Sequence, residues 1–258
     1  MLRLLGRTFS LSLRRSMAHR VNFAFDIAQS LVGILAVLAT TLAIYYQTDM
    51  LAGWSKPQAL VLVGIYSIVA GVRSAFIDPS LTRMVSTIRD GSLDDALLQP
   101  APSWFTVSCR EHAPFALGQA ILGAGILIVG VSGLPSPPGL ANVLATIVLT
   151  GCAVAISWAF SLAVACLGFW FARFELGPLT ASLWDVGRYP AEVYRQPVRT
   201  IVTYLVPLAG MITVPASALA RTSAWYALVS GLALTACFVF LAMLLFRQGV
   251  KRYTGATS

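Results

Sequence analysis

The chain has 258 residues, of which 57% are hydrophobic and only 11% charged, and its mean hydropathy is +0.78. That balance excludes an ordinary soluble globular domain and makes lipid the natural solvent. The net charge of +8 does not indicate nucleic acid, because the arginines flank apolar runs instead of forming a basic patch interleaved with aromatics.

No polar stretch is long enough to build a separate soluble domain, so residues 1–258 are expected to form one all-α, polytopic membrane domain with six transmembrane helices. Cys109, Cys152, Cys166 and Cys237 lie in or beside apolar runs without metal-ligand spacing, and are expected to pack as small residues. Leu2, Leu5, Phe9, Leu13 and Met17 recur at helical spacing while Arg3, Arg7 and Arg14 line another face. Residues 2–20 are therefore expected to form an amphipathic helix lying on the cytoplasmic leaflet, in contact with membrane lipids. The same stretch is rich in arginine and serine and poor in acids, as a mitochondrial transit peptide also is.

Six apolar runs follow, at about 23–46, 59–77, 105–131, 140–171, 200–220 and 224–246, each set against the roughly 20 residues that a crossing requires. With the amino terminus inside, all Lys and Arg except Lys56 and Arg221 fall on or near the cytoplasmic side, a strong positive-inside bias. Both termini are then expected in the cytoplasm. An alternative register crosses once within 172–199 and makes the fifth run re-entrant, which places Arg188, Arg195 and Arg199 outside.

The loop between the second and third runs encodes two short helices. Asp78 can cap the first, with Pro79 at its first helical position, and Leu81, Met84, Val85 and Ile88 supply an apolar stripe. Gly91 suits the left-handed residue that ends a helix. Ser92 and Asp95 resemble a capping box for the second helix, which Pro100 and Pro102 stop. The product is a stiff elbow, and a stiff elbow transmits displacement to the spans it joins.

Among ionisable residues near the membrane, Asp26 and Arg73 lie near the same end of adjacent spans and could pair across them. Glu111 and His112 begin the third run, where interfacial anchoring is favoured over a proton relay. Gly151, Ala155, Ala159 and Ala163 form a small-residue stripe on the fourth run that would admit a close helix. Pro207 and Pro215 should kink the fifth run, where a bend could serve as an outer gate. No His-Glu-x-x-His, Gly-x-Ser-x-Gly or P-loop string occurs, so neither metal-dependent hydrolysis nor ATP binding by the P-loop route is written into this chain.

The string from Ile88 to Pro100 resembles the I-x-x-G-x-L-D-x-x-L-L-x-P segment of six-span permeases of the ABC-2 exporter class. Arg188-Tyr189-Pro190-Ala191-Glu192-Val193-Tyr194, Val206-Pro207, Val214-Pro215-Ala216 and the basic tail from Arg247 to Tyr253 resemble the second half of that family. The resemblance includes a branch linked to export of cationic or drug-like compounds. It implies a transport subunit of the bacterial inner membrane without its own catalytic, cofactor or metal site. Two cytosolic ATPase subunits would carry ATP and Mg, and a second permease chain, identical or paralogous, would complete the path. It also makes the Gly91 region a coupling helix, with Arg89, Asp90, Gly91, Leu93, Asp94, Leu97 and Leu98 docking the ATPase. A gradient-driven carrier would instead need pseudo-symmetric halves and mid-membrane charges, and a non-transporting scaffold would need neither.

Overall fold

The computed structural model describes residues 9–13, 20–99, 102–171, 180, 182–184, 186–201, 203, 206–220 and 224–253. Helix α1 (Arg20–Gln47) leads through a two-stranded hairpin, β1 (Met50–Leu51) and β2 (Trp54–Ser55), into α2 (Lys56–Phe76). The hairpin turns on Ala52 at φ 50° and Gly53 at φ 81°, the pair of positive φ values that a two-residue turn with the strand twist demands. Tyr45 at the end of α1 donates its hydroxyl to the Trp54 carbonyl at 2.8 Å, and Trp54 is fully buried. At the start of α2 the Ser55 N–H donates to Gln58 Oε1 at 3.0 Å, the half of a capping box that satisfies an orphan donor.

Among the described residues four helices are long and apolar enough to cross a membrane: Lys56–Phe76, Pro114–Ser132, Leu140–Phe169 and Trp225–Arg252. Six were expected. In α1 the apolar portion is Leu31–Gln47, inside a helix of 28 residues. The run expected from 105 to 131 is divided into α5 (Ser103–Ser108), a 3-10 turn (Pro114–Ala116) and α6 (Leu117–Ser132). Pro114 lacks an N–H and clashes with a preceding helical turn, so a helix cannot run through it from 105. The fourth run forms α7 (Leu140–Ala165), prolonged by a 3-10 turn to Phe169, and the last forms α9 (Ala224–Arg252).

The fifth expected run, 200–220, is not one span-length helix. A single turn at Val198–Thr200 is followed, beyond Pro207, by a π-helical stretch (Ala209–Thr213) and then α8 (Val214–Ala220); the apolar helix Ala209–Ala220 is too short to cross. Pro207 precedes the first helical turn and Pro215 lies inside α8. A proline within a helix withdraws a backbone donor, and a wider π turn is one way a helix absorbs that loss.

The preceding stretch also departs from expectation. Residues 172–199 were expected to stay at the elbow end of the bundle. Phe169 does lie there, against Tyr253 at a ring separation of 6.3 Å. Arg188, Tyr189 and Pro190, however, share a small cavity with Thr41, Tyr45 and Leu51 at the hairpin end. By Pro190 the chain has thus traversed the bundle. From Met211, beside Ser157 on α7 (3.5 Å), α8 returns to Ala220, whose carbonyl accepts from Gln58 Nε2 at 3.4 Å.

Helix α2 is the centre of the bundle, and α6 packs along it through glycines. A Cβ on Gly64 would lie 2.7 Å from the Leu127 backbone, one on Gly71 2.5 Å from Ala120 N, one on Gly123 2.6 Å from Ser67 Cβ, and one on Gly130 2.7 Å from Val61 N. Apolar side chains gain little by leaving lipid for another helix, so backbone approach at small residues supplies the contact. The stripe expected to do this, Gly151 to Ala163, does not do it as a unit: Gly151 is exposed with open space beside it, whereas Ala159 is buried. Seven-residue glycine spacing in both α2 and α6 was the overlooked signal.

Candidate functional site

The elbow forms as two short helices, α3 (Asp78–Arg89) and α4 (Asp94–Leu97). Pro79 occupies the first turn of α3, and Ile77, in helical conformation, stands at the cap where Asp78 was expected. Gly91 has φ 70°. Its N–H donates to the Ile88 carbonyl at 3.3 Å and the Ser92 N–H to the Thr87 carbonyl at 3.0 Å, the pair of bonds that closes a helix through a left-handed glycine. The expected Ser92 cap is replaced: α4 starts from Leu93 without a side-chain cap bond.

The apolar stripe of α3 does what its spacing requires. Leu81, Met84, Val85 and Ile88 are buried in one cluster with Leu93, Ala96, Ala159, Leu162, Cys166 and Phe246, so the elbow is seated on the ends of α7 and α9. Four isolated residues cannot hold a helix in water; burial of Leu93 and Ala96, both at 0% exposure, is what orders α4. This divides the expected docking residues into two groups. Leu93 faces the interior and Leu97 packs against the cluster, so neither is the outward face that was expected of them. Arg89 and Asp90 keep more than half of their side chains exposed, and Leu98 is 84% exposed. Asp94 is half-buried.

Polar ties hold the elbow to the spans. Ser80 Oγ donates to the Glu111 carbonyl at 2.7 Å and accepts the Glu111 N–H at 3.1 Å, joining α3 to the segment that precedes α6. The Leu93 N–H donates to Tyr253 Oη at 3.0 Å, tying the second turn of the elbow to the end of α9. Arg73 Nη1 lies 3.1 Å from Asp78 Oδ1, bridging α2 and α3. Burial pushes the Asp78 carboxyl above the ordinary carboxylate value, while the Arg73 charge and a Ser74 hydrogen bond pull it back. Arg73, which could also pair with Asp26 by its place in the sequence, meets a residue of the elbow here; the Asp26 side chain lies outside the described residues. Ser80, Tyr253 and Trp184 were not singled out by sequence reasoning, because a hydroxyl, a tail tyrosine and an indole carry no spacing that identifies a tertiary partner.

His112 and Glu111 have different surroundings. His112 is packed among Phe9 at 6.2 Å and Phe76 at 5.5 Å between ring centroids, and burial lowers its proton affinity. Glu111 reaches Arg83 at 3.7 Å with both side chains about half exposed. Phe9, in the helical stretch 9–13, also stacks on Phe76 at 5.6 Å, which sets part of the expected amino-terminal helix against the elbow end. Residues 2–8 and 14–19 of that expected helix lie outside the described ones, and Arg20 begins α1. Among the described residues no group of three or more His, Cys, Asp or Glu could hold a metal.

A family model described as ABC-2 family transporter protein matches residues 31–257. No curated protein and no solved structure matches the chain.

Proposed function

The chain belongs to the ABC-2 family of transporter proteins, and from that premise we propose that it is the permease subunit of an ATP-driven exporter. In this reading the elbow faces the cytoplasm of a bacterial cell and docks a cytosolic ATPase subunit. Two permease chains form the path between them, with one ATPase on each elbow. ATP and Mg bind the ATPase, and this chain contributes shape change alone.

The observation that carries the reading is the division of the elbow into a buried anchor and an exposed face. Arg89, Asp90 and Leu98 form the contact with the ATPase, presented by the Gly91 turn and flanked by Asp94. Leu93 and Leu97 hold that face in place from behind. A large exposed leucine beside charged side chains suits a partner surface that buries an apolar anchor within a polar rim.

Six crossings fit the family if α1, α2, α6 and α7 are followed by a fifth passage between Phe171 and Pro190, with α9 as the sixth. Residues 198–220 then enter and leave from the outer side, with Pro207 and Pro215 assigned to an outer gate. This keeps both ends of the chain in the cytoplasm and moves Arg188, Arg195 and Arg199 outward. The open, polar cleft of about 270 Å³ between the Pro135–Pro138 loop, Gln58 and Asn142 falls on the outer side in this reading.

The test is co-purification from mild detergent. An ATPase subunit should accompany the unsubstituted chain, and Leu98→Asp should reduce its recovery by about tenfold, since placing a charge in a hot-spot pocket removes a contact of about 1.4 kcal/mol or more. Full ATPase recovery with Leu98→Asp combined with Arg89→Glu would refute the assigned face.

A further inference from the structure

Arg73 occupies the last turn of α2, and its side chain is only 9% exposed. One edge of the guanidinium meets Asp78, the first residue of the elbow, at 3.1 Å. Its Cζ lies over the Trp184 ring, 4.3 Å from the ring centroid. Trp184 is itself buried at 3% exposure and lies 6.4 Å from the Tyr66 ring. The hydroxyl of Tyr66 accepts from Arg188 Nε at 3.4 Å, and Arg188 with Tyr189 and Pro190 lines the cavity at the hairpin end. A continuous set of contacts therefore runs from the elbow to the opposite end of the bundle, outside the backbone of α2.

The guanidinium is the element of this set that no other side chain could replace. A guanidinium is one rigid plane that can meet a carboxylate at its edge and a ring across its face at once, so a shift of the carboxylate also moves the group that lies over the indole. An ammonium could keep the ion pair but would lose the stack. Because the cation is buried, separating it from Asp78 would break a largely desolvated ion pair, which favours movement of the three groups together over their separation.

We propose that Arg73 is a positioning residue, the pivot through which displacement of the elbow reaches the Trp184–Pro190 segment, as a second route beside helix α2. The inference rests on the docking reading above. It makes the hairpin end respond to the ATPase, so that the segment carrying Arg188 changes its exposure when the elbows are driven together.

Hydrogen exchange followed by mass spectrometry on the permease–ATPase complex in nanodiscs tests it, comparing the nucleotide-free state with Mg-ATP trapped by vanadate. In the unsubstituted complex the amides of residues 186–194 should change their exchange on the order of fivefold, the lower range of coupling between linked sites. Arg73→Lys and Trp184→Leu should abolish that change while residues 89–98 still respond, and Trp184→Phe, which keeps an aromatic face, should retain it. A parental response at 186–194 in both Arg73→Lys and Trp184→Leu would overturn the pivot, as would an unsubstituted complex whose response stops at the elbow. Absence of any ATPase from the unsubstituted complex would instead sink the docking reading beneath it.

Discussion

The seam between α2 and α6 and the seam between the elbow and the spans are joined by opposite means. Along α2 and α6, Gly64, Gly71, Gly123 and Gly130 bring backbone against backbone. At the elbow, side chains reach across to backbone groups, as Ser80 does to Glu111 and Tyr253 to Leu93. The difference follows from solvent. Inside a hydrocarbon layer an apolar side chain gains nothing by changing apolar neighbours, so only close approach discriminates one helix face from another. At the end of the bundle water competes for every polar group, and a short helix needs both an apolar seat and directional ties to hold one orientation.

The comparison is broken most severely by Gly71→Leu. Even the first carbon of the new side chain would lie 2.5 Å from Ala120 N, with backbone on the far side that cannot yield as a flexible side chain would. A loss of about 3 kcal/mol is expected, read as a lower thermal midpoint of the purified chain in detergent, whereas Gly151→Leu, which meets open space, should leave the midpoint unchanged. Equal effects of the two would mean that the α2–α6 contact is not the stabilising one.

Ser80→Ala sharpens the other side. It removes a hydroxyl that both donates to and accepts from Glu111, and leaves backbone groups short of a partner, for a loss of about 2 kcal/mol. Proteolysis or hydrogen exchange should locate the loosening at residues 78–81 and 110–113, with α2 and α6 unaffected. The smallest effect is expected from Arg83→Ala, on the same glutamate. Its ion pair at 3.7 Å is half exposed on both sides and is worth no more than about 0.5 kcal/mol once solvent screening is counted. A thermal midpoint that falls as far for Arg83→Ala as for Ser80→Ala would show that charge, and not the backbone tie, seats the elbow.

Much of the elbow could be read from residue order. The stripe Leu81, Met84, Val85 and Ile88 has helical spacing and is buried, and Gly91 takes the left-handed conformation expected of it. Those features depend on neighbours a few residues away. The direction of Leu93 and Leu97 could not be read in the same way. Both are apolar residues in a polar loop, and such residues serve equally as an anchor or as a docking face until the elements behind them are known.

Hydropathy and local pattern were sufficient to establish a helical membrane protein, its loops and the outline of the elbow, because lipid solvation and helix termination act on residues adjacent in the chain. Which glycines face another helix, that Arg73 meets Asp78 and Trp184, and that the chain has reached the hairpin end by Pro190 depended on packing between distant segments. In a bundle where nearly every surface is apolar, composition cannot distinguish a face turned to lipid from one turned to a helix; that choice is made by shape and by the few polar groups that must find partners.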